Sequence, residues 1–594
     1  VSSSRFCGCS PDKLVIDKEE SMKFIRVNMT EKTINIEDVP QDYIGLGGRG
    51  LTSVMINAEV PPTCDPLGPE NKLILAPGFL TGTPLVNTSR LSVGAKSPLT
   101  GGSKESNVGG TVGAALGHLG ITAIIIEGQA PKGELSFLRI DEKGEASLIP
   151  AQPYKGLRTY HVVEKFLETF GEKNSVLCIG PAGEYGLSVA SIQSSDVDGR
   201  PCRAAGRGGM GAVMGSKGLK AIIVDQRGKS TDAIANPKAF KEATKAVVEA
   251  VQADHMSGEV MPKLGTAALV APVNAMGAFP SYNATKGTLD GWEKISGEAM
   301  AELIQERGGQ TTHRGCDQCM IHCSNEFVDK EGKFVTSSLE YETIWATGGM
   351  TGVADLDTIA RLDHLCDDIG VDTMSTGVAV AVALDAGYKP FGDAEAVIEM
   401  IEEIGQGTEF GRILGSGPVA VGQHFNHDRV PAVKGQSIAA YDPRAMLGHG
   451  VTYATSPMGA DHTAGNVVGA YLTQMLDPLK VEGQVDTSRF LQIAMAAFDC
   501  MGQCFMASVA LLSPEGFEAF RKVIEAKSGT QLGPDDFPGA MGVRILKAER
   551  EFNRKAGFTK QDDRLPKFFY EEPLPPHNTV FAVSDEELDS TFDF

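Results

Sequence analysis

The residues best suited to chemistry in this chain are thiols. Arg314-Gly-Cys316-Asp-Gln-Cys319-Met-Ile-His322-Cys323 is a Cys-x2-Cys-x3-Cys run, and Cys500-Met-Gly-Gln-Cys504 follows far downstream. Three closely spaced thiolates plus a distant fourth suit a cubane [4Fe–4S] cluster, because one loop wraps three irons and another element caps the fourth. A structural zinc site is the alternative, although such sites usually pair two Cys-x2-Cys loops. His322 reads as a bystander within the loop.

Two further patterns stand out. Asp367-Asp-Ile-Gly370-Val-Asp372 and Asp499-Cys-Met-Gly502-Gln-Cys504 share the form Asp-x-x-Gly-x-(Asp/Cys). Alone, that echo is weak, since glycine near aspartate is common where helices end. Arg203-Ala-Ala-Gly-Arg207-Gly-Gly-Met-Gly211-Ala-Val-Met-Gly215-Ser-Lys217 is rich enough in glycine to free backbone N–H groups for a phosphate. Its spacing matches neither a Walker loop nor a dinucleotide fingerprint. It reads as a phosphate cradle of another kind or as a plain turn.

These residues need elements to hold them. From Lys23 to Asp225 the pattern is strand-like and glycine-rich, with runs at Phe24–Met29, Thr33–Ile36, Leu73–Leu75, Ala123–Glu127, Leu135–Ile140 and Ala221–Val224 and one helical segment, Tyr160–Phe170. Beyond Asp225 apolar residues recur at three and four positions, for instance over Pro237–Ala253, Gly297–Arg307, Thr373–Ala386 and Phe490–Leu511. No repeat of 20 to 50 residues is evident. Pro573–Pro576 and the acidic Asp585–Asp593 read as a C-terminal tail.

The 594 residues exceed the size at which one core keeps growing, so several packed units are expected. With 54 Lys+Arg against 76 Asp+Glu, the net charge of −22 argues against a nucleic-acid partner. No apolar run reaches the roughly 20 residues of a membrane span, and the first residues lack the sections of an export signal, so a cytoplasmic location is expected. In a reducing compartment, eleven cysteines point to metal or redox chemistry rather than disulfides.

Several motifs, in order, resemble those of the tungsten-containing aldehyde:ferredoxin oxidoreductase family. They are Gly47-Gly-Arg-Gly-Leu51, Asn71-Lys-Leu-Ile-Leu-Ala-Pro-Gly78, Ser97-Pro-Leu-Thr-Gly101, Asn107-Val-Gly-Gly110, Arg203-Ala-Ala-Gly-Arg-Gly-Gly209, Gly211-Ala-Val-Met-Gly-Ser-Lys217, Tyr441-Asp-Pro-Arg444 and Tyr453-Ala-Thr455, together with the cysteine pattern. The resemblance spans roughly Lys23 to Pro575. It implies an α+β fold: an N-terminal extension (1–22), a β-rich bis-pterin-binding base domain (23–225), and two mainly α-helical domains. The first (226–440) would carry the cysteine loop and the first Asp-x-x-Gly motif. The second (441–594) would carry the active-site histidine, the second such motif and the fourth cysteine.

The resemblance also implies cofactors and their holders. Tungsten or molybdenum would sit between the dithiolenes of two pterins, beside a [4Fe–4S] cluster ligated by Cys316, Cys319, Cys323 and Cys504. Cys500 would be a packed thiol, and Gln503 departs from the leucine usual in the family. Two similar pterins need two similar sockets, which gives the echo a reason: Asp367 and Asp499 would accept hydrogen bonds from aminopyrimidine edges, with Asp372 near the first. The backbone carbonyls of Asn107 and Ala204 would hold a magnesium ion bridging the pterin phosphates, with Gly109 in the same cofactor-binding stretch and Arg203 as a phosphate-side cation. Arg90 would lie between cluster and pterin.

For proton chemistry the candidates are Glu340-Tyr-Glu342 and Gly459-Ala-Asp-His462. On a helix the two glutamates point about 200° apart, so only one can face the metal; the family match favours Glu342, and His462 matches the active-site histidine. The implied reaction is oxidation of aldehydes to carboxylic acids, with electrons passed to ferredoxin or a dedicated iron–sulfur subunit. Low-potential reduction of a carboxylic acid or aromatic thioester is the alternative on the same scaffold, and a non-catalytic electron-transfer or zinc-stabilised binding protein is the alternative of another class. Arg361-Leu-Asp-His364 lacks the glutamate of the family's bridging-metal motif. Any homo- or hetero-oligomer is therefore expected to form without a shared metal, with His364 packed or solvated. Cys7 and Cys9 are expected in a flexible, unliganded segment.

Overall fold

A computed structural model describes residues 22–229 and 233–594; Cys7, Cys9 and nearly all of the 1–22 extension lie outside them. Two six-stranded sheets occupy the first third of the chain. The first is built from β1 (Lys23–Asn28), β2 (Thr33–Asp38), β3 (Leu73–Pro77), β4 (Leu91–Lys96), β5 (Ser103–Val108) and β6 (Ile121–Glu127), in the order β2-β1-β6-β3-β4-β5. The second uses β7 (Ser136–Ile140), β8 (Ala146–Pro150), β9 (Asn174–Cys178), β10 (Ile192–Ser194), β11 (Arg203–Ala205) and β12 (Leu219–Asp225). Its order, β8-β7-β12-β9-β10-β11, is that of the first with every strand advanced by six. Even the directions correspond, with β1–β6 and β7–β12 the parallel pairs.

The duplicated unit is far longer than the roughly 20 to 50 residues of a solenoid repeat, and the sequence carries a trace of it. Gly113-Ala-Ala-Leu-Gly117 and Ala123-Ile-Ile125 recur as Gly211-Ala-Val-Met-Gly215 and Ala221-Ile-Ile223, 211 minus 113 giving an offset of 98. The long apolar strands β6 and β12 lie inside their sheets, as continuous β-branched runs require. Strand β5, Ser-Lys-Glu-Ser-Asn-Val, is polar yet largely buried, so it faces something other than an apolar core.

The one-helix expectation for this region is corrected. Gly48–Glu59, Val112–His118 and Met210–Ser216 are also helical. Their glycines lower helix propensity and hid them, but close packing requires small residues there: a Cβ on Gly211 would come within 2.2 Å of the Ser191 carbonyl oxygen.

The remainder is mainly helical, with Pro237–Ala253 and Gly297–Arg307 as expected. Helix Thr373–Asp385 is apolar all round and runs through the largest core. The expected helix Phe490–Leu511 is broken, with Gln484–Met501 ending at Gly502 and a short helix, Phe505–Val509, following Cys504. A three-stranded sheet, β13 (Gln310–His313), β14 (Ser324–Val328) and β15 (Phe334–Ser337), carries the cysteine loop between its first two strands. The C-terminal segment is not a loose tail. Leu574, Phe581, Val583, Leu588 and Phe592 are buried, and Ser584 caps a helix over Asp585–Asp589. No helix among the described residues is long and apolar enough to cross a membrane.

Candidate functional site

The echoed motifs adopt the same geometry. Helix Leu356–Ile369 ends at Gly370 (φ 77°), whose N–H donates to the Asp367 carbonyl, and Gln484–Met501 ends at Gly502 (φ 80°), whose N–H donates to the Asp499 carbonyl. Positive φ favours glycine at both ends. Each end also abuts a glycine of the sheet region. A Cβ on Gly180 would lie 2.0 Å from the Ile369 carbonyl oxygen, and one on Gly78 would lie 2.1 Å from Gly502 Cα. Two helix ends are thus pressed onto the two sheet units in the same way, leaving two aspartates at equivalent places.

Both carboxyls are raised. Burial, then the nearby Asp363 charge, pushes Asp367 well above the carboxylate range, and no protein group among the described residues donates to its carboxyl oxygens. Burial and the charge of Glu105 push Asp499 up to about 7, against Arg49, whose guanidinium is 3.3 Å away. Arg49 is itself fixed by a buried bidentate pair with Glu549 (2.9 and 3.0 Å). Asp372 differs. It caps helix Thr373–Asp385, accepting from the N–H groups of Met374 and Ser375.

Asn107 and Ala204 lie on β5 and β11, the outermost strands of the two sheets and in contact with one another. Arg90 donates to the Asn107 side-chain oxygen. A Cβ on Gly109 would come 2.4 Å from Cys316 Sγ and 2.6 Å from an Arg90 terminal nitrogen, so that guanidinium is packed beside the thiol loop. Arg203 sends its terminal nitrogens to Ser338 and Ser324, under the loop, and its buried Nε has no partner. Ser324 also touches His313 Nδ1, whose other ring nitrogen meets Asp198.

Cys316, Cys319, Cys323 and Cys504 gather in one place. Burial, then the charges of Cys316 and Cys504, pushes the Cys319 thiol up to about 11. The loop aims donors at sulfur: the His322 N–H at 3.3 Å and the Asn87 amide at 3.6 Å from Cys319 Sγ. Asn87 also accepts from the Cys504 N–H at 2.7 Å, tying the distant thiol to the same shell. A single zinc with 2.3 Å bonds needs sulfurs about 3.8 Å apart. Yet no three of these thiols lie within 4.8 Å of one another, which suits a larger body between them. Cys500, by contrast, is packed against Gly50 and fully buried.

The two glutamates separate as expected for a helix start. Glu340 accepts from Ser338 and Thr266, on the thiol-loop side. Glu342 turns the other way: Oε2 accepts from the Ala440 N–H (3.0 Å), and Oε1 is 3.3 Å from His462 Nε2. That contact is too poorly aligned to satisfy Oε1, which remains buried without a hydrogen bond. Burial pushes Glu342 up to about 8, opposed by the Ala440 N–H and the Arg207 charge. Burial and Arg207 together push His462 down to about 3, so the ring is neutral near pH 7.

Arg207 organises this corner. It donates to the carbonyls of Ser437 and Ala460, pairs with Asp461 at 3.2 Å and approaches His462 Nδ1 at 3.4 Å. A guanidinium has no acceptor, so Nδ1 accepts and the ring proton resides on Nε2, facing Glu342. Although burial opposes its charge, Lys104 and Arg207 hold Asp461 well below the carboxylate range. The sequence places Arg207 only within the glycine-rich stretch and gives Lys104 no role, although the unusual polarity of β5 is a usable signal for Lys104.

The chain matches two family models: "Aldehyde ferredoxin oxidoreductase, N-terminal domain" over residues 24–226 and "Aldehyde ferredoxin oxidoreductase, domains 2 & 3" over 242–593. The chain belongs to the aldehyde ferredoxin oxidoreductase family. It is 36% identical over 578 residues to the tungsten-containing aldehyde ferredoxin oxidoreductase of Pyrococcus furiosus, covering 93% of this chain and 92% of that protein. The Thermococcus kodakarensis protein is 35% identical over the same shares. A more distant relative, at 24% identity over 93% of this chain and 90% of its own length, is the aliphatic sulfonate oxidoreductase, WOR-like subunit, of Pyrococcus furiosus. The fold also matches the active-site complex BamBC of benzoyl coenzyme A reductase, with a TM-score of 0.80 at 21% identity, over 96% of this chain and 93% of that one.

The protein is therefore an oxidoreductase of this family, and membership implies a tungsten–pterin cofactor. The residues present fit such a group. Two equivalent carboxyls, one with no protein donor, are buried where a polar ligand would satisfy them. His364, in the stretch lacking the bridging glutamate, packs its ring on Tyr160 at 4.4 Å.

Proposed function

We propose that this protein oxidises aldehydes to carboxylic acids at a bis-pterin tungsten (or molybdenum) centre and passes the electrons singly through a [4Fe–4S] cluster. The observation that carries this reading is the buried, unpartnered Oε1 of Glu342 beside the Nε2–H of a neutral His462. A raised carboxyl beside a neutral imidazole is a base and a hydrogen-bond donor poised for neutral pH. Charge effects on Glu342 from both Asp372 and Asp461 are consistent with a place next to the first socket.

Asp367 and Asp499 would hold the pterins, Asp372 and Gly109 would line the same region, and the carbonyls of Asn107 and Ala204 would hold magnesium where the two sheet edges meet. Arg203 would serve as a phosphate-side cation through its free Nε. Cys316, Cys319, Cys323 and Cys504 would ligate the cluster, with Arg90 between it and the second pterin. When bound, the metal centre supplies the two-electron redox chemistry and the cluster the one-electron relay.

The chain's own residues then handle substrate and protons. His462 donates its Nε2–H to the aldehyde oxygen and polarises the carbonyl. Glu342 takes a proton from the water that adds to the carbonyl carbon. Overall, aldehyde plus water yields carboxylic acid, two protons and two electrons. Arg207 keeps the imidazole aimed and prevents it from taking the proton itself. Ferredoxin or a dedicated iron–sulfur subunit would accept the electrons, and the exposed Arg314 beside the thiol loop offers local positive charge on an acidic chain.

The test is anaerobic purification with metal analysis, followed by a viologen-linked assay over aliphatic and aromatic aldehydes. Tungsten or molybdenum with four irons and aldehyde-dependent dye reduction is the expected result. Zinc alone, or no reduction with any aldehyde, would overturn the reading.

A further inference from the structure

Helix Met541–Lys555 and the turns after it form one wall of a surface cleft of about 540 Å³. None of its lining residues belongs to the two sockets, the thiol loop or the Glu342–His462 pair. Five cationic side chains line it, Lys434, Lys547, Arg550, Arg554 and Lys560, against two side-chain carboxylates, Glu551 and Asp563. On a chain of net charge −22 this is a concentration of the opposite sign.

The carboxylates do not neutralise it. Asp563 is shared by Lys434 (2.7 Å) and Arg550 (2.9 Å) at the floor, and Glu551 is engaged by Lys555 (2.8 Å). Lys560 has Asp589 at 3.3 Å, but its side chain is 70% exposed. Lys547 makes no ion pair among the described residues, only a contact with the Phe594 ring at 5.1 Å; Arg554 makes no ion pair within 4 Å there either, though its charge acts on Glu551. Position near a helix C-terminus accounts for Arg554, but Lys547 lies within the helix. Phe558 and Phe594 add two aromatic faces to the lining.

We propose that this cleft binds a small phosphorylated molecule carrying a planar ring, of the nucleoside diphosphate kind. Lys547 and Arg554 meet the phosphates, and Phe558 and Phe594 stack on the ring. The volume suits a small ligand rather than a protein surface, since small-molecule pockets run from about 300 to 1,000 Å³. The floor continues toward the reaction site: the Asn553 amide holds the Pro457 carbonyl at 2.7 Å, five residues before His462, and Lys434 holds the Ala454 carbonyl.

Equilibrium dialysis of anaerobic holoenzyme with labelled ADP tests this, with pyrophosphate and adenosine as fragments. One saturable, salt-sensitive site is expected, tighter for ADP than for either fragment. The pair Lys547→Glu and Arg554→Glu should weaken ADP at least ten-fold without changing tungsten content or melting temperature. Phe558→Ala should weaken ADP but not pyrophosphate. Unsaturable binding, binding that survives the charge reversals, or pyrophosphate bound as tightly as ADP would each overturn the proposal. So would an acidic electron-transfer protein whose affinity falls in the charge-reversal variants while ADP does not bind.

Discussion

His462 Nε2 lies 3.3 Å from Glu342 Oε1, with Arg207 at Nδ1 fixing which nitrogen carries the proton. Distant segments hold both: the Ala440 N–H holds Glu342, and Arg207, itself paired with the Asp461 that Lys104 also engages, meets the His462 ring.

Replacing Glu342 with Gln removes the base while keeping a side chain of the same shape. Turnover should fall by about 10²–10⁴-fold, with tungsten and iron content unchanged. In the unmodified protein kcat/KM should rise with pH through about 8, as Glu342 ionises. The variant should lack that limb; a retained limb would assign it to another group.

The cofactor-free protein should lose stability as pH rises. Glu342 and Asp499 have folded-state values near 8 and 7, above their unfolded ones, so the folded state binds more protons. Their contribution is fully present below the ordinary carboxyl range and is lost as pH rises through 7 to 8. Denaturant midpoints of the apoprotein at pH 5 and pH 9 measure this. The double variant Glu342→Gln, Asp499→Asn should show a flatter profile.

Arg49 and Glu549 are almost wholly buried and join helix Gly48–Glu59 to helix Met541–Lys555. Glu549→Ala leaves an uncompensated guanidinium in the interior. A loss of roughly 3–5 kcal/mol in unfolding free energy is expected. A loss below about 1 kcal/mol would show that Asp499 alone satisfies Arg49.

Gln503 is 1% exposed, and neither its amide oxygen nor its nitrogen has a partner among the described residues. Gln503→Leu should stabilise the apoprotein by about 1–3 kcal/mol, the cost of an unsatisfied buried polar group. A lowered melting temperature would contradict this.

Gly109 has no room for a methyl group between Cys316 Sγ and Arg90. Gly109→Ala should yield folded protein with reduced iron content, read by metal analysis and circular dichroism. Full iron occupancy would show that the loop can shift.

Much of this was readable in advance where the cause is local. Helices Pro237–Ala253 and Gly297–Arg307 follow from periodicity and caps within their own residues. The helices at Gly48, Val112 and Met210 were hidden, because their glycines are chosen for neighbours distant in sequence. The same holds for the C-terminal segment, whose prolines and acids suggest a tail while Leu574, Phe581 and Phe592 are buried. Strand β5 is polar because of what it faces, and local propensity contains no term for that.

The thiol loop, the paired Asp-x-x-Gly ends and the family are legible in the chain alone, because each is carried by residue types at short, fixed spacing. The doubled sheet leaves only a faint trace there, and that Gly180 and Gly78 receive the two helix ends alike appears first in the folded molecule. So do the turn of Glu342 to His462, that of Glu340 to the thiol side, and the sharing of one cleft by five cationic side chains. These are contacts between segments far apart in the chain, set by close packing and by the cost of burying charge without a partner, and spacing along the sequence does not encode them.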